Sequence, residues 1–182
     1  HLSIRRQRQM CIRDREEFGY DHVPEETLRK ALDAMYAVSQ AHWQPEADAV
    51  PTLETLTAQG YRLGLISNAA DHEDVQTLVD QAGIREYFEH ILTSAGEGIR
   101  KPNPRIFRKM LHLLGVPPQR AVMVGDTLGA DVLGAHHAGM AGIWITRRAE
   151  KPANAAHRDT IHPDEVIHSL AELPRVLSNF PS

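Results

Sequence analysis

Four places along the chain carry residues that could do chemistry together. Ser67 and Asn68 close the run YRLGLI (61–66), Lys101 stands directly before Pro102, and Asp126 and Asp131 sit five positions apart in AVMVGDTLGAD (121–131). A hydroxyl, an amide and free backbone N–H groups at a strand-to-helix turn suit an oxyanion such as phosphate, although the same pair could simply cap a helix. Proline restricts the residue before it to extended geometry, so Lys101 presents a rigid ammonium rather than a floppy one. Beside a phosphate it would screen the repulsion between an anionic nucleophile and an anionic substrate; otherwise it is a solvated loop lysine. Asp126 follows the apolar run ending at Val124. A carboxylate at the carboxyl end of a buried strand lies where open α/β sheets place ligands, and it calls for a cation. Magnesium takes carboxylate oxygen and keeps waters that a phosphate can displace.

The positioning elements read as short alternating units. Ala121–Val124 is apolar and β-favouring, as a strand of a parallel sheet is, and Thr127–Ala138 reads as the following helix, with Gly125 permitting a sharp exit. Tyr61–Ile66, Phe88–Leu92 and Gly142–Thr146 read as further strands. Pro51 and Pro104 are placed to open helices, the second running through Ile106, Phe107, Met110, Leu111 and Leu114 to Gly115. Pro163–Leu177 reads as one helix bent at Pro174. Arg147, Arg148 and Lys151 form a basic loop, solvated or at the rim of the site, and Pro152–Arg158 reads as polar linker. His72 reads as a solvated residue near a helix start. The amino-terminal third is polar and helical, with Arg5, Arg6, Arg8, Arg13 and Arg15 before a helix whose apolar face includes Leu28, Leu32, Met35 and Val38. The order helix, strand, helix, strand argues a doubly wound α/β layer with a parallel sheet.

Composition excludes other classes. The 182 residues suffice for one domain with a core, and a net charge of -4 gives no nucleic-acid surface. No apolar run approaches the roughly 20 residues that cross a bilayer. A single cysteine makes no internal disulfide, which sets a cytoplasmic, reducing environment as the expectation. Neither a G-x-G-x-x-G dinucleotide turn nor a G-x-x-x-x-G-K-[ST] loop is present, and the 11 histidines supply no zinc spacing beside a suitable carboxylate.

LISN (65–68), Lys101–Pro102 and VMVGDTLGAD (122–131), in this order and spacing, resemble the haloacid dehalogenase-like hydrolase superfamily, its phosphoglycolate phosphatase-like branch in particular. The resemblance covers roughly Trp43–Leu177 and includes DEVI and SLAEL near the carboxyl end. It implies a three-layer, Rossmann-like α/β fold and a magnesium-dependent phosphatase that hydrolyses a small phosphorylated metabolite through an aspartyl-phosphate. It implies that Ser67 holds the transferring phosphate, with Asn68 beside it. Lys101 would neutralise nucleophile and phosphate, Asp126 would bind magnesium, and Asp131 would support the metal site or its lysine. A 2-haloacid dehalogenase is the second reading, and a non-catalytic binding or structural relative the third.

One expected motif is absent. No D-x-D-x-T, the carrier of the nucleophile in such enzymes, precedes Ser67. That motif belongs to a central first strand between the strands ending at Ser67 and Asp126. The expectation is therefore a partial helical cap over 1–44 and a core over 45–182 that lacks its first strand, leaving two unpaired strand edges. Three origins fit: a chain that is part of a longer protein, a gap filled by a complementing fragment or a second copy as in a homodimer, or a natural non-catalytic relative.

Overall fold

A computed structural model of the chain describes residues 24–180; the arginine-rich segment 1–17 lies outside them. Contacts divide the chain into two units, His1–Trp43 and Gln44–Ser182. The described part of the first is helix α1 (Glu25–His42), supported in its first half by i, i+4 pairs between Arg29 and Asp33 at 2.8 Å and between Glu26 and Lys30 at 2.7 Å.

The second unit runs α2 (Ala49–Ala58), β1 (Gly64–Ser67), α3 (His72–Gln81), β2 (His90–Thr93), α4 (Ser94–Glu97), α5 (Pro104–Leu114) and β3 (Val122–Gly125). A π-helical turn (Leu128–Val132) then leads into α6 (Leu133–Ala138), β4 (Ala141–Ile145), α7 (Pro152–Ala155), β5 (Glu165–Ile167) and α8 (Leu173–Leu177). Every strand pair is parallel. β1 pairs with β2, placing Ser67 opposite Thr93. β4 lies between β3 and β5, with Gly125 opposite Trp144 and Ile145 opposite Ile167.

Helices cover both faces. On one, Ile106, Phe107, Met110 and Leu114 of α5 pack with Ile66, Leu92 and Met123. On the other, Leu56 of α2 and Leu173 and Val176 of α8 pack with Ile143, Ile145 and Ile167, and with Val122 and Val124. Alternate residues of β3 thus feed opposite layers, as strand geometry dictates. α5 and α6 meet at Gly134, where an added Cβ would stand 2.5 Å from the Phe107 ring.

The sheet comes in two parts. Among the described residues no strand lies between β1 and β3, and a cavity of about 1080 Å³ separates them. Its walls are the two strands, with Leu56 of α2 and Phe107 and Met110 of α5 above and below. This is where the sequence reading locates the unpaired edges.

Three expectations change here, and a fourth changes at residues 128–132, within the site. Residues 163–177 are a strand and two short helical turns rather than one helix. Val166 is 44% exposed while Ile167 is fully buried, the alternation of a strand at the sheet edge. A capping box of Ser169 and Glu172 restarts the chain, and Pro174 sits in the first turn of α8 instead of bending a helix. α2 begins two residues before Pro51, after Asp48. Finally, Pro152–Arg158 is no plain linker, because it contains α7 and the buried Asn154.

Candidate active site

The sequence-predicted residues meet at the carboxyl ends of β1 and β3, on either side of the cleft. Ser67 ends β1 and is half-buried. Asn68 follows it and turns both polar atoms to Lys101: its Oδ1 accepts from the Lys101 N–H at 2.8 Å and its Nδ2 donates to the Lys101 carbonyl at 3.0 Å. The amide therefore braces the lysine's backbone from 33 residues away. The Lys101–Pro102 peptide bond is cis. Asn103 then caps α5 through the Arg105 N–H, so the lysine enters the site from a short, pinned loop.

Lys101 Nζ donates to the Ile66 carbonyl at 2.8 Å and lies 2.6 Å from Asp131 Oδ1. The two side chains are only 10% and 4% exposed. Asp131 Oδ1 has no hydrogen bond of regular geometry, yet at this separation the ion pair is what compensates its burial. Its other oxygen accepts from the Thr127 N–H at 3.0 Å. Asp131 thus serves the lysine and the loop.

The backbone after β3 explains how Asp131 reaches inward. Residues 128–132 wind as a π-helical turn, a feature frequent at functional sites, where a continuous α-helix was expected. Gly125 supplies the clearance: a Cβ there would stand 2.3 Å from Asp131 Cγ. Its φ is not positive, so the glycine is required for close approach rather than for a left-handed exit.

Asp126 has a different environment. Its side chain is 31% exposed, at the mouth of the cleft. Oδ1 accepts from the Thr127 hydroxyl at 3.2 Å, and Oδ2 from Arg148 at 3.2 Å. Of the two positions left open for the basic loop, Arg148 takes the rim. Among the described residues no cluster of three or more histidine, cysteine, aspartate or glutamate side chains could hold a metal. One accessible carboxylate with a buried one behind it fits magnesium, which keeps several waters and is bound by one or two carboxylates together with substrate oxygens. Of the two, Asp126 is the carboxylate accessible enough to hold such an ion.

The sequence reading missed several supports. His72 is half-buried, with Nδ1 2.8 Å from the Thr93 hydroxyl. Ser94 Oγ bridges the Ala69 N–H and carbonyl, tying the loop after Ser67 to the end of β2. Asp48 Oδ2 accepts from Ser169 Oγ at 2.6 Å and from the Leu170 N–H at 2.8 Å, and it pairs with Arg147, next to Arg148. Burial opposes charge on Asp48, but the bonds from Ser169 and Arg147 outweigh it and hold the carboxyl at about 2. No periodicity marks such contacts; Asp48 at a helix start was the one available signal.

The fold is a parallel α/β layer with a lysine and two aspartates gathered beside the ends of two strands, and comparison with known proteins gives its class as hydrolase. A haloacid dehalogenase-like hydrolase family model matches residues 5–139. A glyceraldehyde 3-phosphate phosphatase from Methanothermobacter thermautotrophicus is 35% identical over 138 residues, 74% of this chain and 59% of that protein. The crystal structure of a HAD phosphatase from Thermococcus onnurineus superposes with a TM-score of 0.66 at 32% identity, covering 90% of this chain and 68% of that one. A 2-haloacid dehalogenase from Pseudomonas syringae gives 0.67 at 30% identity, covering 88% and 66%. The chain belongs to the haloacid dehalogenase-like hydrolase family. It spans about half to two thirds of the length of the curated relatives it matches first.

Proposed function

We propose that the protein is a magnesium-dependent phosphatase of small phosphomonoesters, acting through an aspartyl-phosphate. The observation that carries this reading is the convergence of Lys101, Asp126 and Asp131 on one mouth of the cleft between β1 and β3, with Ser67 at the carboxyl end of β1. Ser67 donates its hydroxyl to a phosphoryl oxygen. Lys101, braced by Asn68 and held by Asp131, places its ammonium between nucleophile and phosphate and offsets the charge that builds there. Asp126 is the ion's ligand, and bound magnesium supplies Lewis-acid charge to the phosphoryl oxygens. The nucleophile would come on an apolar strand, not contained in residues 1–182, that fills the cleft and ends in D-x-D-x-T. Such a strand would pair with the free edges of both β1 and β3 and close one sheet. In this reading the unit containing α1 belongs to a helical cap that selects the substrate, and the protein works in the cytoplasm.

The likeness to a 2-haloacid dehalogenase supports a second reading, in which the same strand's aspartate displaces halide and no metal is needed. Assays of phosphate release from phosphomonoesters and of halide release from 2-haloacids, each with and without chelator, separate the two. The phosphatase reading expects chelator-sensitive phosphate release; chelator-insensitive dehalogenation would overturn it.

A further inference from the structure

We infer that Asn154 is a positioning residue for the cation site, setting the direction of the Asp126 carboxylate by holding the backbone on both sides of Thr127. The inference rests on the reading of Asp126 as the magnesium ligand.

The chain leaving β3 creates a specific difficulty. The Asp126 carbonyl is past the strand ladder, and the Leu128 N–H, on the first residue of the π-helical turn, has no acceptor within that turn; peptide groups buried without partners are costly. Asn154 meets both. Its Nδ2 donates to the Asp126 carbonyl at 2.8 Å, and its Oδ1 accepts from the Leu128 N–H at 2.9 Å. The second N–H of the same amide donates to the Arg148 carbonyl at 2.8 Å. The side chain is buried, the residue being 1% exposed. Two carbonyls on one side and an N–H on the other identify which amide atom is nitrogen and which is oxygen.

No other side chain of this size satisfies that set. Two donors and one acceptor at fixed separation are an asparagine's inventory. Aspartate would turn a carboxylate oxygen toward two carbonyls, leucine would leave all three groups unpaired, and glutamine is a methylene too long for the space. The indole of Trp144 gives the Asp126 carbonyl a second donor at 3.2 Å. One carboxamide therefore joins the loop of Asp126 to the loop of Arg148, whose guanidinium lies 3.2 Å from the Asp126 carboxylate. Groups that orient a ligating carboxylate without touching the metal typically account for about 10- to 100-fold in affinity.

The test is a calorimetric titration of the protein with magnesium ions alone, in wild type, Asn154→Ala, Asn154→Asp and Asp126→Asn, beside Val176→Ala as a destabilised variant remote from the loop. The isosteric Asn154→Asp is the form to read if the alanine variant does not fold. The expected result is loss of binding in Asp126→Asn, at least about tenfold weaker binding in the Asn154 variant, and unchanged affinity in Val176→Ala despite its lower melting temperature. Unchanged affinity in the Asn154 variant, with binding still lost in Asp126→Asn, would overturn the role of Asn154 alone. Equal weakening in Val176→Ala would reduce that role to general stability and overturn it likewise. Magnesium binding indifferent to Asp126→Asn, or absent from the wild type, would overturn the reading beneath it.

Discussion

Lys101 Nζ and Asp131 Oδ1 lie 2.6 Å apart with both side chains almost wholly buried, while Asp126, five residues before Asp131, is 31% exposed. The two aspartates of one motif therefore have different physical duties. One neutralises a buried cation and fastens a loop. The other faces the cleft.

Stability should separate them. Removing one partner of a buried ion pair leaves an unpaired charge and typically costs about 3 to 5 kcal/mol. Lys101→Ala and Asp131→Ala should each lose stability on that scale in urea denaturation, whereas Asp126→Asn should change it by less than about 1 kcal/mol. Equal losses at all three positions would contradict the assignment.

Gly125→Ala should be destabilising out of proportion to one methyl group. The new Cβ would collide with Asp131, displacing it from Lys101. Overpacking of this kind costs about 1 to 3 kcal/mol. A melting temperature equal to the wild type's would show that the π-helical turn has room to move.

Acid should weaken the Asp48 network within a defined window. Asp48 titrates at about 2 in the folded chain against an ordinary 3.8. Its contribution is fully present above the unfolded value and is lost as pH falls from about 4 toward 2, amounting to about 2 kcal/mol. The stability difference between wild type and Asp48→Asn, measured in urea at successive pH values, should shrink across that window. A difference as large at pH 2 as at pH 6 would refute it.

The cleft should accept a strand. A synthetic peptide with an apolar β-branched run leading into D-x-D-x-T should raise the melting temperature with concentration, the stabilisation reaching about 2.7 kcal/mol at 100 times its dissociation constant. A scrambled peptide of the same composition should not. Equal effects from both would show nonspecific adsorption.

Much of this arrangement was legible because strand ends are legible. Short apolar runs stopping at Ser67 and Gly125, and Pro104 opening an amphipathic helix, suffice to put Ser67, Lys101 and Asp126 at one end of a parallel layer. The gap between β1 and β3 followed from the absent D-x-D-x-T. What stayed hidden was tertiary. Val166 and Ile167 fit a helical period as well as a strand's, and only pairing with β4 decides between them. Asn68 looked like a phosphate ligand, but both ends of its amide are committed to Lys101. Asn154 lay in a polar segment with no pattern, and its importance comes entirely from groups 6 to 28 residues away.

The most direct test of the account is phosphate release from a small phosphomonoester in the presence of magnesium, measured for this chain with and without a D-x-D-x-T strand joined to it or added in trans. The account predicts release only with the strand, abolished by chelator and by Asp126→Asn. Equal release from the chain without the strand, or release that survives Asp126→Asn, would contradict it.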